Sequence, residues 1–233
     1  MNKIIIEKDI NLILNKNEYE IEIINNSNIN LSINNKEVKI IMLIKNSNIN
    51  INLIVNDNNK LIINSLGINS CINYNVNIKN NCNLLIVDSI LSKIDSINKI
   101  KLIHEGSNSI TKFYTNGINL DNNKMYFYLD GIISKNCLNV YLEENSKIIN
   151  NKDGDSKIIP NLIVDTKEVI ANHSAFIGTI NKDNLLYLMS RGLDLKTANK
   201  LLIKSILLSN MCLNTDKLIE IIDLNMEKGG LYE

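Results

Sequence analysis

The residues able to do chemistry in this chain gather in one stretch, "ANHSAFIGTINKDNLLYLMSRGL", Ala171 to Leu193. It holds His173, one of only two histidines, and Arg191, the sole arginine. A neutral imidazole is a good metal ligand and can pass protons near physiological pH. Taken without context, a lone histidine is more often one whose ring nitrogens bond backbone at a strand end. Arg191 offers a planar, multi-donor contact that lysine cannot copy; its plainer reading is a surface cation at a helix C-terminus, where the dipole favours positive charge. The second histidine, His104 in "LIHEGSNS", has no Cys or His partner at ligand spacing and reads as structural. Cys71, Cys82, Cys137 and Cys212 are widely spread with no C-x-x-C pair. That spacing suits reduced thiols, not a zinc knuckle or a disulfide scaffold.

Several classes of function are disfavoured at once. A chain of 233 residues with zero formal net charge shows no block of clustered Lys and Arg, so no nucleic-acid footprint is expected. No apolar run approaches the ~20 residues of a membrane span. The start, "MNKIIIEKDINLIL", carries acids inside its apolar stretch and lacks a small-residue cleavage site. No signal peptide is expected, and the cytoplasm is the expected compartment. Neither G-x-x-x-x-G-K-[ST] nor G-x-G-x-x-G occurs, so the chain should bind no nucleotide and hydrolyse no ATP. Scattered acids and 5% aromatics disfavour a solenoid polysaccharide lyase.

The elements that must position the rare residues follow from periodicity. From Lys3 to about Val169 the period is two: "YEIEIINNSNINLSI" sets Ile21, Ile23, Ile29, Leu31 and Ile33 on alternating positions. Alternation over short runs signals half-buried strands. Breaks such as "NDNNK" and "DNNK" fit turns, because Asn and Asp tolerate left-handed backbone. The many asparagines alternate with Ile and Leu instead of running together, unlike a prion-like tract. Short strands with turn signals allow a sandwich, a barrel or a solenoid. "NNSNINLSI" and "KNSNININLIV" look like one unit met twice, roughly twenty residues apart, and Asn amides could bond to the rungs above and below.

After Gly178 the period changes to that of helices. "NKDNLLYLMSRGL" ends at Gly192, where a helix would stop. Asp194 is placed to N-cap "LKTANKLLIKSILLSN", with Leu195, Ala198, Leu202 and Ile206 near one face. "TDKLIEIIDLNMEKG" reads as a third helix, capped by Thr215 or Asp216. The expected organisation is a β body over 1–178 and a helical region over 179–233.

Across about forty residues, "PNLIVDTKEVIANHSAFIGTINKDNLLYLMSRGLDLKTANKLL" resembles the C-terminal signature of the SufB/SufD family of iron–sulfur cluster assembly scaffolds. The matching positions are Pro160, Glu168-Val169, His173-Ser174-Ala175, Gly178, Leu186-Tyr187-Leu188, Ser190-Arg191-Gly192 and Ala198. The resemblance implies a right-handed parallel β-helix followed by a small helical region. It implies a non-catalytic subunit of SufBCD that pairs with a SufB-type subunit, or a second copy, through the β-helix. A SufC-type ATPase would dock on the helices, at Tyr187, Ser190, Arg191, Gly192, Leu193, Ala198, Leu201 and Leu202. His173 is then the expected ligand of iron or of a transient iron–sulfur cluster shared with SufB. Gly178, the "LMSRGL" run and Ser174 (where SufB tends to carry Glu) look more like SufD. So does the lack of a cysteine between Asn151 and Pro160. The alternative is a passive solenoid, or a homodimeric minimal SufB-like scaffold, without a metal role for His173.

Overall fold

A computed structural model describes residues 1–227. Fifteen strands, from β1 (Asn2–Ile6) to β15 (Val169–Thr179), precede the helices α1 (Lys182–Ser190), α2 (Leu195–Leu207) and α3 (Asp216–Glu227). Odd-numbered strands form an eight-stranded sheet and even-numbered strands a seven-stranded one, every neighbour pair parallel. The chain therefore winds as a right-handed parallel β-helix, each coil adding one strand to each sheet. The two similar asparagine-rich units are adjacent rungs: β4 (Ser27–Ile33) and β6 (Asn48–Val55) pair with Asn28 opposite Asn50 and Asn30 opposite Asn52.

Period two has a direct cause. Inward side chains of the two sheets meet in one apolar core running from Ile6 to Ile148, and the outward ones of the seven-stranded sheet face water. On that wet face the asparagines stack as ladders. Asn50 donates to Asn28 at 2.8 Å and accepts from Asn73 at 2.9 Å; Asn52 donates to Asn30 at 2.9 Å. Asparagine also turns the corners. Among the described residues, every non-glycine with positive φ is an asparagine, including Asn58, Asn81, Asn108 and Asn139. Two corner pairs bond side chain to side chain, Asn81 to Asn58 and Asn139 to Asn108, both at 3.1 Å.

The eight-stranded sheet departs from strict alternation, because its outer face is covered. Ile41, Leu43, Leu66, Ile68, Leu91, Ile118, Leu120 and Ile149 form a second core with Ile203 and Leu207 of α2 and Leu218, Ile221, Ile222 and Met226 of α3. Each such side chain contributes about 1.5–3 kcal/mol when fully buried. Polar seams fix the docking: Ser89 donates to the Leu207 carbonyl at 2.5 Å, and Lys217 of α3 pairs with Glu20 and Glu22. The face of α2 that is buried is Ala198, Ile203 and Leu207; Leu195 is exposed and Leu202 and Ile206 only half-buried. The expected stripe is thus rotated, because α2 lies along a sheet and not against a bundle of its own helices.

Local signals set the helix ends. The Asn181 side chain caps α1, and Gly192 at φ +94° reverses the chain behind it. Asp194 accepts from Thr197 N–H at 2.7 Å to start α2. Before α3 the side-chain cap comes from Asn214, which accepts from Asp216 N–H at 2.9 Å, while the Thr215 carbonyl takes the first helical bond.

Candidate functional site

The site is built by one vertical file of inward side chains. Along the eight-stranded sheet, backbone register aligns Tyr19, Ile40, Ile63, Ile86, Phe113, Glu144 and His173 in successive strands. Five apolar members give way, at the last two rungs, to a carboxylate and an imidazole. Glu144 lies on β13 (Val140–Asn150) and His173 on β15, the final strand. His173 is exposed, while Glu144 is 1% exposed.

The compositional outliers of the sequence share this last coil. Ala171, His173 and Ala175 all occupy inward positions of β15, above Leu142, Glu144 and Ser146. Pro160 occupies an inward position of β14 (Asp155–Val164), above Leu129. Proline suits β14 because it is an edge strand, bonded on one side only. The alanines keep the layer shallow on both sides of His173. β15 is the other edge, and both edges are long, ten and eleven residues. Exposed apolar side chains crowd this end: Ile159, Ile163, Ile170, Phe176 and Ile177 are all at least 40% exposed.

Beneath the histidine the electrostatics are unusual. Among the described residues neither carboxylate oxygen of Glu144 has a hydrogen-bond partner. Burial, with a smaller push from the Asp130 charge, raises its pKa to about 7. Gly131 of β12 (Lys124–Ile133) makes the room: a Cβ there would lie 2.9 Å from Glu144 Oε1 and closer still to Leu162 and Leu142 side chains. In the next inward file, Ser65 donates to Asp88 at 2.5 Å and sits 3.1 Å from the Tyr74 hydroxyl. Burial raises Asp88 to about 7 as well, against the lowering effect of the Ser65 bond. Higher in the same file Thr115 donates to Ser146 at 2.6 Å.

His104 is fully buried, its Nδ1 3.0 Å from Ser109 Oγ, and burial depresses its pKa to about 4. It is held neutral inside the solenoid, several coils from His173. All four cysteines are free, Cys82 and Cys137 buried and Cys212 exposed. Among the described residues no group of three or more His, Cys, Asp or Glu could hold a metal by itself. None of the described helices is long and apolar enough to cross a membrane.

The helical positions separate into two groups. Tyr187, Ser190, Arg191, Gly192 and Leu201 are exposed, and Leu193 and Leu202 are half-buried. The Arg191 guanidinium stacks over the Tyr187 ring at 5.3 Å. Leu186 and Met189 extend this surface, and α1 buries none of its residues. Ala198 departs from the expectation of a contact residue: it is 0% exposed and offers a partner no surface. Its small size serves close packing of α2.

Glu144 is the residue that the periodicity reading passed over. Its signal was present in "VYLEENSKII": in phase with Leu142 and Ile148, it stands at a position that alternation assigns to the core. Asp88, inside the apolar run "LLIVDSIL", is the same kind of signal.

These features define a class: a parallel β-helix roofed on one face by its C-terminal helices and open at its last coil. The family model described as "SUF system FeS cluster assembly, SufBD core domain" matches residues 71–206, more than half of the chain, and the chain belongs to this family. The matched core is shared by SufB and SufD, and its role is in iron–sulfur cluster assembly. Comparison with curated proteins gives no match.

Proposed function

We propose that this chain is a scaffold subunit of a SufBCD-type complex, without turnover of its own. It joins a SufB-type subunit, or a second copy of itself, through the open last coil. It docks a SufC-type ATPase on the α1–α2 turn, and His173 supports iron delivery and cluster formation at the junction. The observation that carries this reading is the pair of long edge strands β14 and β15, unpaired on their outer sides and lined with exposed isoleucines, with His173 between the two alanines. A long apolar edge is a template for another strand, and proteins that do not use one normally blunt it.

The exposed surface of Leu186, Tyr187, Met189 and Arg191 supports the second contact. Aromatic and arginine side chains are enriched where interfaces carry their energy. ATP-driven movement of the partner would act on α1, while α2 and α3 stay buried on the sheet and carry the motion into it. Iron here is cargo, and a single exposed imidazole suits a ligand that must later let go.

The test is a pull-down with SufB-type and SufC-type partners, then anaerobic cluster reconstitution with wild type and His173→Ala. Binding of both partners, with less cluster formed by the variant, is the expected result. Equal cluster formation would make the chain a passive tether. No binding to either partner would remove the scaffold reading altogether.

A further inference from the structure

We infer that Glu144 and His173 together form a half-site for a divalent metal ion of the iron(II) class, with Glu144 as the carboxylate ligand. The inference rests on the proposed role of His173 and adds a second ligand that the family motif does not include.

Three observations carry it. First, the two residues are register partners on neighbouring parallel strands, on the same inward file, with only apolar members below them. Neighbouring strands lie about 4.8 Å apart, a spacing at which an imidazole nitrogen and a carboxylate oxygen can reach one ion. Second, Glu144 is 1% exposed and both its oxygens lack a partner among the described residues. A buried acceptor without donors is costly, and native proteins resolve such groups with a donor or a cation. Among the described residues no lysine or arginine acts on Glu144; the one charge that does, Asp130, is of like sign. Third, small residues surround the pair, so that no larger side chain takes the place beside the carboxylate or the imidazole. Gly131 faces the carboxylate where any side chain would collide with it, and Ala171 and Ala175 flank the histidine.

Imidazole nitrogen and carboxylate oxygen are a donor set that suits iron(II), manganese and zinc. Two protein ligands leave coordination positions for water, sulfide or a side chain arriving across the open end. That incompleteness agrees with the lack of a three-residue cluster among the described residues. A complete cage would hold the ion, whereas a half-site passes it on.

The experiment uses the full chain under anaerobic conditions, titrated with Co²⁺ as an optical probe and with Fe²⁺ in equilibrium dialysis. Wild type should bind an ion that His173→Ala does not. Glu144→Gln should weaken binding by about tenfold or more, yet melt no lower than wild type, since it removes an unpaired buried charge. Asp88→Asn, an equally buried carboxylate outside this file, should bind as wild type does. Should Glu144→Gln bind both ions like wild type while His173→Ala loses them, Glu144 is no ligand and the reading of His173 stands. Should wild type bind neither ion, the half-site is overturned, and partner binding in the pull-down still decides the scaffold reading separately. Weakening by Asp88→Asn equal to that by Glu144→Gln would also overturn it, as an effect of any buried carboxylate.

Discussion

The middle coils and the last coil are built from the same strand, yet they are opposites in what they expose. In the middle, Ile40, Ile63, Ile86 and Phe113 stack at 0% exposure, each covered by the coils on either side. In the last coil the inward positions have a neighbour on one side only, and His173, above Glu144, and Ile177, above the buried Ile148, stand in solvent. Stability therefore resides in the middle, and the capacity to associate resides at the end. The placement of the rare residues follows the same division: Pro160, Ala171, His173 and Ala175 all lie where substitution costs the isolated fold least.

Four changes probe this contrast, in decreasing order of effect on stability. Phe113→Ala removes a buried ring that packs edge-on to Tyr74 at 5.7 Å. It should cost about 3–5 kcal/mol in urea unfolding; a loss below about 1 kcal/mol would mean the lumen is not close-packed. Asp88→Asn should raise stability at pH 8 by on the order of 3 kcal/mol and change little at pH 4. The sign follows from its folded pKa of about 7 lying above the ordinary 3.8. The native state then holds its proton longer than the unfolded chain, so the stability this group supports is present below about pH 4 and is lost as pH rises through 7. His104 acts oppositely, with a folded pKa depressed to about 4 from 6.5. It lowers stability as pH falls from 6.5 towards 4, and the variant comparison cancels it. A variant that kept the full wild-type pH profile would show that Asp88 is not the group responsible.

Asn50→Ala breaks two bonds of a ladder, to Asn28 and from Asn73. About 1 kcal/mol should be lost, because these amides are exposed and water replaces part of each bond. No loss at all would make the ladders a by-product of composition. Ile177→Lys, at the open end, should shift stability by no more than about 0.5 kcal/mol. The same variant should abolish association with the scaffold partner in size-exclusion chromatography, because a lysine on an edge disfavours strand addition. Unchanged association would move the junction away from β15.

Much of the β body was legible because inward and outward side chains alternate wherever one face is wet. That "NNSNINLSI" and "KNSNININLIV" are one unit met twice was legible, but not their register: the shared NSNIN would set Asn28 against Asn48, whereas the strands pair Asn28 with Asn50. The same reasoning stopped short at "EVKIIMLIK", where Ile41 and Leu43 point outward but lie beneath the helices. Alternation cannot reveal a cover that comes from elsewhere in the chain. The face of α2 is turned for the same reason: Ala198 of the expected stripe is buried and Ile206 packs against the second core, but Ile203 and Leu207 and not Leu195 complete the contact with the sheet.

By itself, then, the sequence determined the strands, the asparagine corners, the helix signals at Asp194 and Gly192, and the family signature around His173. Each of these is a local matter of period, backbone preference or short-range hydrogen bonding. Only the tertiary structure decided that His173 ends the file in which Glu144 is the rung before it, far apart in the chain and one strand away in the sheet. Register between coils depends on how long each coil's turns are and on what packs inside, and no local rule sums those into an alignment. It is that alignment which leaves a buried carboxylate without a partner beneath an exposed imidazole at the open end of the solenoid.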